Sequence, residues 1–212
     1  MMKKPLIGLA LAALLSGCAT TSKPAAPVAK AEPLTPLVTD WAAPADYDGM
    51  RKQLGWSDQY IARCEQGNPV KAMDEAMMAK QWQQAATLGQ NWLPQCPVDM
   101  RVQFFTAIAL DKLGQGAQSK AHFAWTKGLL DSVMASGNGK TPATALETIS
   151  VAEEYNTLYL MQLQPKDQAL VSGPIMCDRL TATSEDGEQV TLYFNPKAHF
   201  ARLMKMISEG EK

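Results

Sequence analysis

The chain has 212 residues, with 20 Lys and Arg against 21 Asp and Glu, two His, four Cys and 46% hydrophobic residues. That length suits one ordinary domain and is enough to bury a core. A net charge of −1 leaves no basic footprint for nucleic acid, and His122 and His199 stand too far apart in sequence to suggest a His-based metal site.

Lys3 and Lys4 precede an apolar run from Leu6 to Leu15. As a helix this run rises about 15 Å, roughly half of a bilayer core, so residues 1–17 read as a signal peptide and not as a membrane span. Leu15-Ser16-Gly17-Cys18 then resembles the lipobox of bacterial lipoproteins. The resemblance implies cleavage before Cys18, acylation of its thiol (palmitate among the chains) and attachment to the membrane through that lipid. More than one acyl chain gives stable anchoring, since each buried methylene contributes about 0.8 kcal/mol. Ala19, where Asp would resemble an inner-membrane retention signal, favours the outer membrane, facing the periplasm. The mature chain would keep 195 residues, with 18 basic against 21 acidic, a net −3.

Residues 18–45 comprise the lipidated cysteine and an Ala/Pro-rich stretch, with Pro at 24, 27, 33, 36 and 44. Such composition reads as a tether. A single folded domain is expected over 46–212, with helical hairpins in 46–136 and a mixed α/β part in 137–212.

Asp46-Tyr47 opens a short helix in which Tyr47, Met50, Arg51 and Leu54 share one face. Gly67-Asn68-Pro69 breaks the chain, with Pro69 suited to the first position of the next helix. The periodicity then predicts helices over Val70–Lys80, Trp82–Leu93, Asp99–Leu113 and Gln118–Ala135. Aligned at a 34-residue period, the two pairs resemble tetratricopeptide repeats. Ala72, Met73, Ala76, Ala85 and Gly89 in the first pair, and Thr106, Ala107, Leu110, Ala121 and Gly128 in the second, fall where that repeat keeps small or packing residues. Small residues there let two helices approach closely. Cys64 precedes the first pair and Cys96 follows its second helix, so the expected antiparallel return brings them together for a disulfide in an oxidising compartment. Cys177, in an alternating segment, reads as a buried thiol, with a reactive thiol as the alternative.

Beyond Gly137 the period changes. Ala145–Ile149 reads as a short strand, and Ser150 with Glu153 as a capping box opening a helix to about Leu163. Strands are expected over Ala169–Val171, Met176–Ser184 and Gln189–Asn195, the last two joined by the turn Glu185-Asp186-Gly187-Glu188. A final helix runs from Lys197 to about Ile207. The fold class is therefore α+β: tetratricopeptide-like hairpins packed on a small antiparallel sheet with flanking helices.

Gly128-Leu-Leu-Asp-Ser132, Ser136-Gly-Asn-Gly-Lys140, Ile149-Ser150, Glu153-Glu-Tyr155 and Leu192-Tyr-Phe-Asn195 resemble a bacterial family defined by a domain of unknown function and often found in lipid-anchored chains. The opening Asp46-Tyr47 and Met50-Arg51 fit as well, so the resemblance spans about 46–196. Leu54 and Cys177 depart from it, standing where the family tends to show tyrosine. It implies a fold and no activity.

Gly139-Lys140-Thr141 has the tail of a phosphate-binding loop, but Met134 stands where that pattern needs its first glycine, and the preceding residues read as helix. Glu153 and Glu154 are helix neighbours about 100° apart and do not form an acid/base pair. Asp131, Ser136, Asn138, Lys140, Glu154 and Tyr155 form the polar cluster to test for binding or for catalysis of an unrecognised type. Trp82, Trp92 and Trp125 are candidates to line a concave groove for a peptide. No catalytic residue, cofactor or metal ligand is indicated. The expectation is a membrane-anchored envelope module that binds a protein or peptide partner and no nucleic acid. The alternatives are an enzyme using the 131–155 cluster and a purely structural component.

Overall fold

The computed structural model describes residues 34–210. The signal peptide 1–17, the lipidation site Cys18 and the tether up to residue 33 lie outside the described residues. Residues 34–210 lie in one compact unit.

The first segment of this unit corrects the expected tether boundary. Trp41 packs on the ring of His122 at 4.7 Å and edge-on to Trp125 at 5.3 Å, while its carbonyl accepts the Trp125 indole N–H. Leu37 and Val38 both donate their backbone N–H to the Pro94 carbonyl. The Ala/Pro background hides apolar anchors at 38 and 41, which are partly buried against the core and, with the Pro94 hydrogen bonds, hold residues 34–45 to the body as a strap.

Helix α1, Tyr47–Gly55, starts at Asp46, whose carboxylate accepts the Gly49 N–H. A π-helical turn, Ile61–Glu65, follows and has no signature in the periodicity. Then come α2 (Val70–Met78), α3 (Trp82–Trp92), α4 (Met100–Lys112) and α5 (Gly116–Ala135), each packed on the next. Asp99 caps α4 by accepting the Val102 N–H. Gly89 on α3 meets Thr106 on α4 so closely that a Cβ there would overlap the threonine hydroxyl.

Helices α2 and α4 end in the same way. Lys80 (φ 57°) and Gly114 (φ 76°) each take the left-handed conformation, and the next N–H returns to Ala76 or Leu110 respectively. Lysine suffers there from the Cβ clash that glycine avoids. Lys80→Gly is expected to stabilise the protein by about 0.5–1 kcal/mol, the relief of that clash less glycine's added chain entropy. A melting temperature raised by roughly 2 °C would report it.

Beyond α5 a 3₁₀ turn (Pro142–Thr144) leads into β1 (Leu146–Glu147), α6 (Val151–Leu160), β2 (Gln164–Val171), β3 (Cys177–Thr183), β4 (Gln189–Asn195) and α7 (Lys197–Gly210). The sheet order is β1-β4-β3-β2. The β2–β3 and β3–β4 pairs are antiparallel, but Leu146 and Glu147 run parallel to Phe194 and Asn195. The sheet is therefore mixed and not purely antiparallel, because β1 joins β4 only after the chain has crossed through α6 and the hairpin. Leu129 and Val133 of α5 share one core with Leu146, Leu158, Leu180 and Phe194, which unites the two halves. On α7, Ala198 and Arg202 face inward, while Leu203, Met204, Met206 and Ile207 are exposed.

Candidate functional site

Three of the residues that carry the family resemblance, Arg51, Ser132 and Glu153, meet in a buried polar network. Arg51, fully buried, donates Nη1 to Glu153 Oε2 at 2.8 Å and to the Glu147 carbonyl at 3.0 Å. Its Nε reaches Ser132 Oγ at 2.9 Å and its Nη2 reaches Asp48 Oδ1 at 3.1 Å. Burial pushes the Glu153 carboxyl up, opposed by Arg51 and by the Ile149 N–H. Glu153 does not close the expected capping box. Ser150 accepts the Glu153 N–H, but the Glu153 carboxylate takes Arg51 and the Ile149 N–H (2.7 Å), because a buried guanidinium is the stronger donor.

The Ser136–Lys140 loop is also structural. A Cβ on Gly137 would meet the Thr144 and Ala145 carbonyls at 2.5 and 2.7 Å, and Gly139 is left-handed (φ 66°). Ser136 Oγ accepts the Glu147 N–H, Asn138 Oδ1 accepts the Lys140 N–H and the Thr144 hydroxyl, and the Gly139 carbonyl accepts from Tyr193.

The six residues expected as one polar cluster are dispersed. Asp131 pairs with Lys127 on the exposed face of α5, and Lys140 is exposed. Glu154 and Tyr155 make their hydrogen bonds away from the loop. The Tyr155 hydroxyl donates to Gln168 on β2, and Glu154 Oε1 accepts from Thr148 at 3.4 Å. The residues lie on different layers, since α6 presents Glu154 and Tyr155 to the sheet while the loop folds over the end of α5.

Glu154 instead faces another acid. Burial, and then the charge of Asp178 on β3, push its carboxyl up to about 9, so it is neutral at pH 7. Its Oε2 is buried without a donor, as suits an oxygen carrying the proton. Asp178 and the neighbouring Cys177 thiol are raised as well, chiefly by burial. Cys177 is a buried free thiol. Asp178, only 6% exposed, and Glu154, fully buried, leave no room for substrate between them, so the pair reads as internal packing. Between the ordinary value of 4.5 and about 9, the folded protein holds a proton that the unfolded chain releases, so stability falls as pH rises through that window. Glu154→Gln is expected to melt above the parent near pH 9, with the gap closing toward pH 4.5, as thermal melts across that range will show.

The tryptophans do not share a groove. Trp92 is buried, donating Nε1 to Asp99 at 3.2 Å, and Trp125 is buried beneath Trp41. Trp82 alone reaches the surface, in a shallow depression with Gln81 and Leu88. Their helical spacing suits a core as well as a groove, and here the core takes two of the three.

A groove does lie where the strap crosses α1 and the π-helical turn. It encloses about 300 Å³ and is walled by Leu37, Val38, Met50, Leu54 and Pro97, with Arg63 at its side. Arg63 is 6% exposed. It donates Nε to Gln59 Oε1 at 2.8 Å and Nη1 to the Thr35 carbonyl at 2.9 Å. No carboxylate among the described residues pairs with it. A disulfide joins Cys64, next to Arg63, with Cys96, next to Pro97, at a Cα separation of 5.2 Å. The groove has almost no signature in the sequence. Leu37 and Val38 were a faint apolar signal within the proline-rich stretch, and Arg63 carried none.

Among the described residues no group of three or more His, Cys, Asp or Glu could hold a metal ion. Among them, too, no helix is long and apolar enough to cross a membrane. A protein-family model described as a domain of unknown function, DUF4919, matches residues 55–205. No curated protein and no solved structure matches the chain.

Proposed function

The chain belongs to the DUF4919 family, a domain of unknown function, and on that premise we propose that it is a lipid-anchored binding module of a bacterial envelope and not an enzyme. The observation that carries this reading is the groove under the strap, apolar on most of its wall and built beside one buried cation. Its size, about 300 Å³, is at the lower end of ordinary ligand sites. The polar residues that catalysis would need in one place are spread over separate layers.

Two further features support the address and the architecture. The Cys64–Cys96 disulfide suits an oxidising compartment such as the periplasm, and Cys18, acylated as its lipobox-like setting implies, would hold the domain at the outer membrane. The matching left-handed turns at Lys80 and, one 34-residue period later, Gly114 support reading the hairpins as a degenerate tetratricopeptide-like pair.

Expression in a Gram-negative host tests the reading. The parent should take up labelled palmitate and fractionate with the outer membrane, and Cys18→Ala should do neither. A photo-crosslinking residue at Gln53, on the groove rim, should give a discrete adduct that one at Trp82 does not. An unlabelled, soluble parent would defeat the anchor, and a Gln53 probe without an adduct would defeat the binding module.

A further inference from the structure

We propose that the groove beneath the strap binds a carboxylate carried on a short apolar body, with the Arg63 guanidinium holding the carboxylate and Leu37, Val38, Met50 and Leu54 enclosing the body. The inference rests on the binding-module reading and names its ligand class.

Arg51, Arg63 and Arg202 are the buried arginines of the described residues. Arg51 is paired with Glu153 and Asp48. Arg202 lies 3.9 Å from Glu65, stacks over Tyr60 at 4.0 Å and donates to the Gly55 and Ile149 carbonyls. Arg63 differs from both. A guanidinium carries five N–H donors, and Arg63 uses two of them, on the neutral oxygens of Gln59 and Thr35. Taking a cation out of water without a counter-ion costs free energy that neutral acceptors offset only in part. A carboxylate entering the groove supplies the missing charge and matches the planar fork of the remaining donors.

The walls select the rest of the ligand. A neutral or cationic molecule would leave Arg63 uncompensated, and a doubly charged phosphate would have to shed its hydration against leucine, valine and methionine. A volume of about 300 Å³ limits the body to a few carbons, on the scale of a hexanoyl chain or a leucine side chain. The site is also preorganised. The Thr35 carbonyl that Arg63 holds belongs to the strap, whose Leu37 and Val38 N–H groups are fixed on Pro94. The disulfide then ties the residues next to Arg63 and Pro97 to one another. Roof, cation and floor are therefore in place before a ligand arrives. The same chemistry is offered by a free short-chain carboxylic acid and by the terminal carboxylate of a peptide ending in an apolar residue.

Calorimetric titration of the full chain in lipid nanodiscs, with empty nanodiscs as the blank, tests this with hexanoate, hexanamide, N-acetyl-leucine and N-acetyl-leucinamide. At least one acid should bind saturably and about tenfold or more tighter than its amide. Binding by hexanoate alone points to a free acid, and by N-acetyl-leucine alone to a peptide terminus. Arg63→Gln should weaken the preferred acid by about tenfold or more. Since that change also releases Thr35, Gln53→Trp serves as the second variant: Gln53 is exposed at the rim, and tryptophan there blocks the groove while leaving Arg63 and the strap in place. It should abolish binding with the melting temperature unchanged. The proposal is overturned if neither acid binds, if an amide binds as tightly as its acid, or if either variant folds and binds like the parent. Failure of the acids while the Gln53 adduct persists removes this ligand class and leaves the binding module standing.

Discussion

Replacing Arg51 with methionine is expected to destabilise the protein by about 3–5 kcal/mol, the usual loss when one member of a buried ion pair is removed. The side chain is fully buried and bonds to α1, α5, β1 and α6 through Asp48, Ser132, the Glu147 carbonyl and Glu153. Methionine fills similar space but makes none of these bonds, and it leaves the Glu153 carboxylate buried with only the Ile149 N–H. At two to four degrees per kcal/mol for a chain of this size, the melting temperature should fall by on the order of 10 °C. If the pair acts as a unit, adding Glu153→Gln to Arg51→Met removes the stranded charge and restores part of the loss. Additive losses in the double variant would show that Glu153 owes its place to something other than Arg51.

Removing the disulfide has a comparable effect by a different route. Cys64 and Cys96 are 32 residues apart, and in the chain-entropy account closing such a loop contributes about 3–4 kcal/mol by constraining the unfolded chain. Replacing both cysteines with alanine is expected to lower the melting temperature by roughly 10 °C. Reductant should bring the parent down to nearly the same value and leave the variant unmoved. A parent that melts equally with and without reductant would show that the bridge does not contribute in solution. Since the bridge adjoins Arg63 and Pro97, its removal also loosens the groove, so the proposed carboxylate binding should weaken together with stability.

Arg51 and Arg63 show how far the site was legible beforehand. Met50-Arg51, Ser132 and Glu153 stood out through the family resemblance, and they form the polar centre that joins the helical half to the sheet. Arg63 did not stand out. In sequence it is one basic residue among 20, and its setting depends on the strap, whose Thr35 carbonyl it holds from 28 positions away. Glu153 and Glu154 illustrate the same limit. They are adjacent and chemically alike and burial raises both, yet one meets a guanidinium on α1 that opposes the rise and the other a carboxyl on β3 that adds to it. Ser150 marks Glu153 locally as the third residue of its helix, but no neighbour within a few positions records which group across the fold either carboxyl meets.

The sequence by itself determined the elements whose causes are local. Asp46, Asp99 and Ser150 start helices by accepting nearby N–H groups, Gly114 and Gly187 turn the chain where φ is positive, and Val190, Leu192 and Phe194 alternate as a half-buried strand must. These features depend on neighbours within about four positions. Only the tertiary structure decided the parallel edge at β1, the conversion of a proline-rich stretch into a strap, the dispersal of the polar cluster and the placement of a buried cation beside an apolar groove. Each depends on contacts between residues far apart in the chain, such as Trp41 with Trp125 across 84 positions or Arg63 with Thr35 across 28. Burial and pairing are properties of those contacts, and no local pattern of residue types records them.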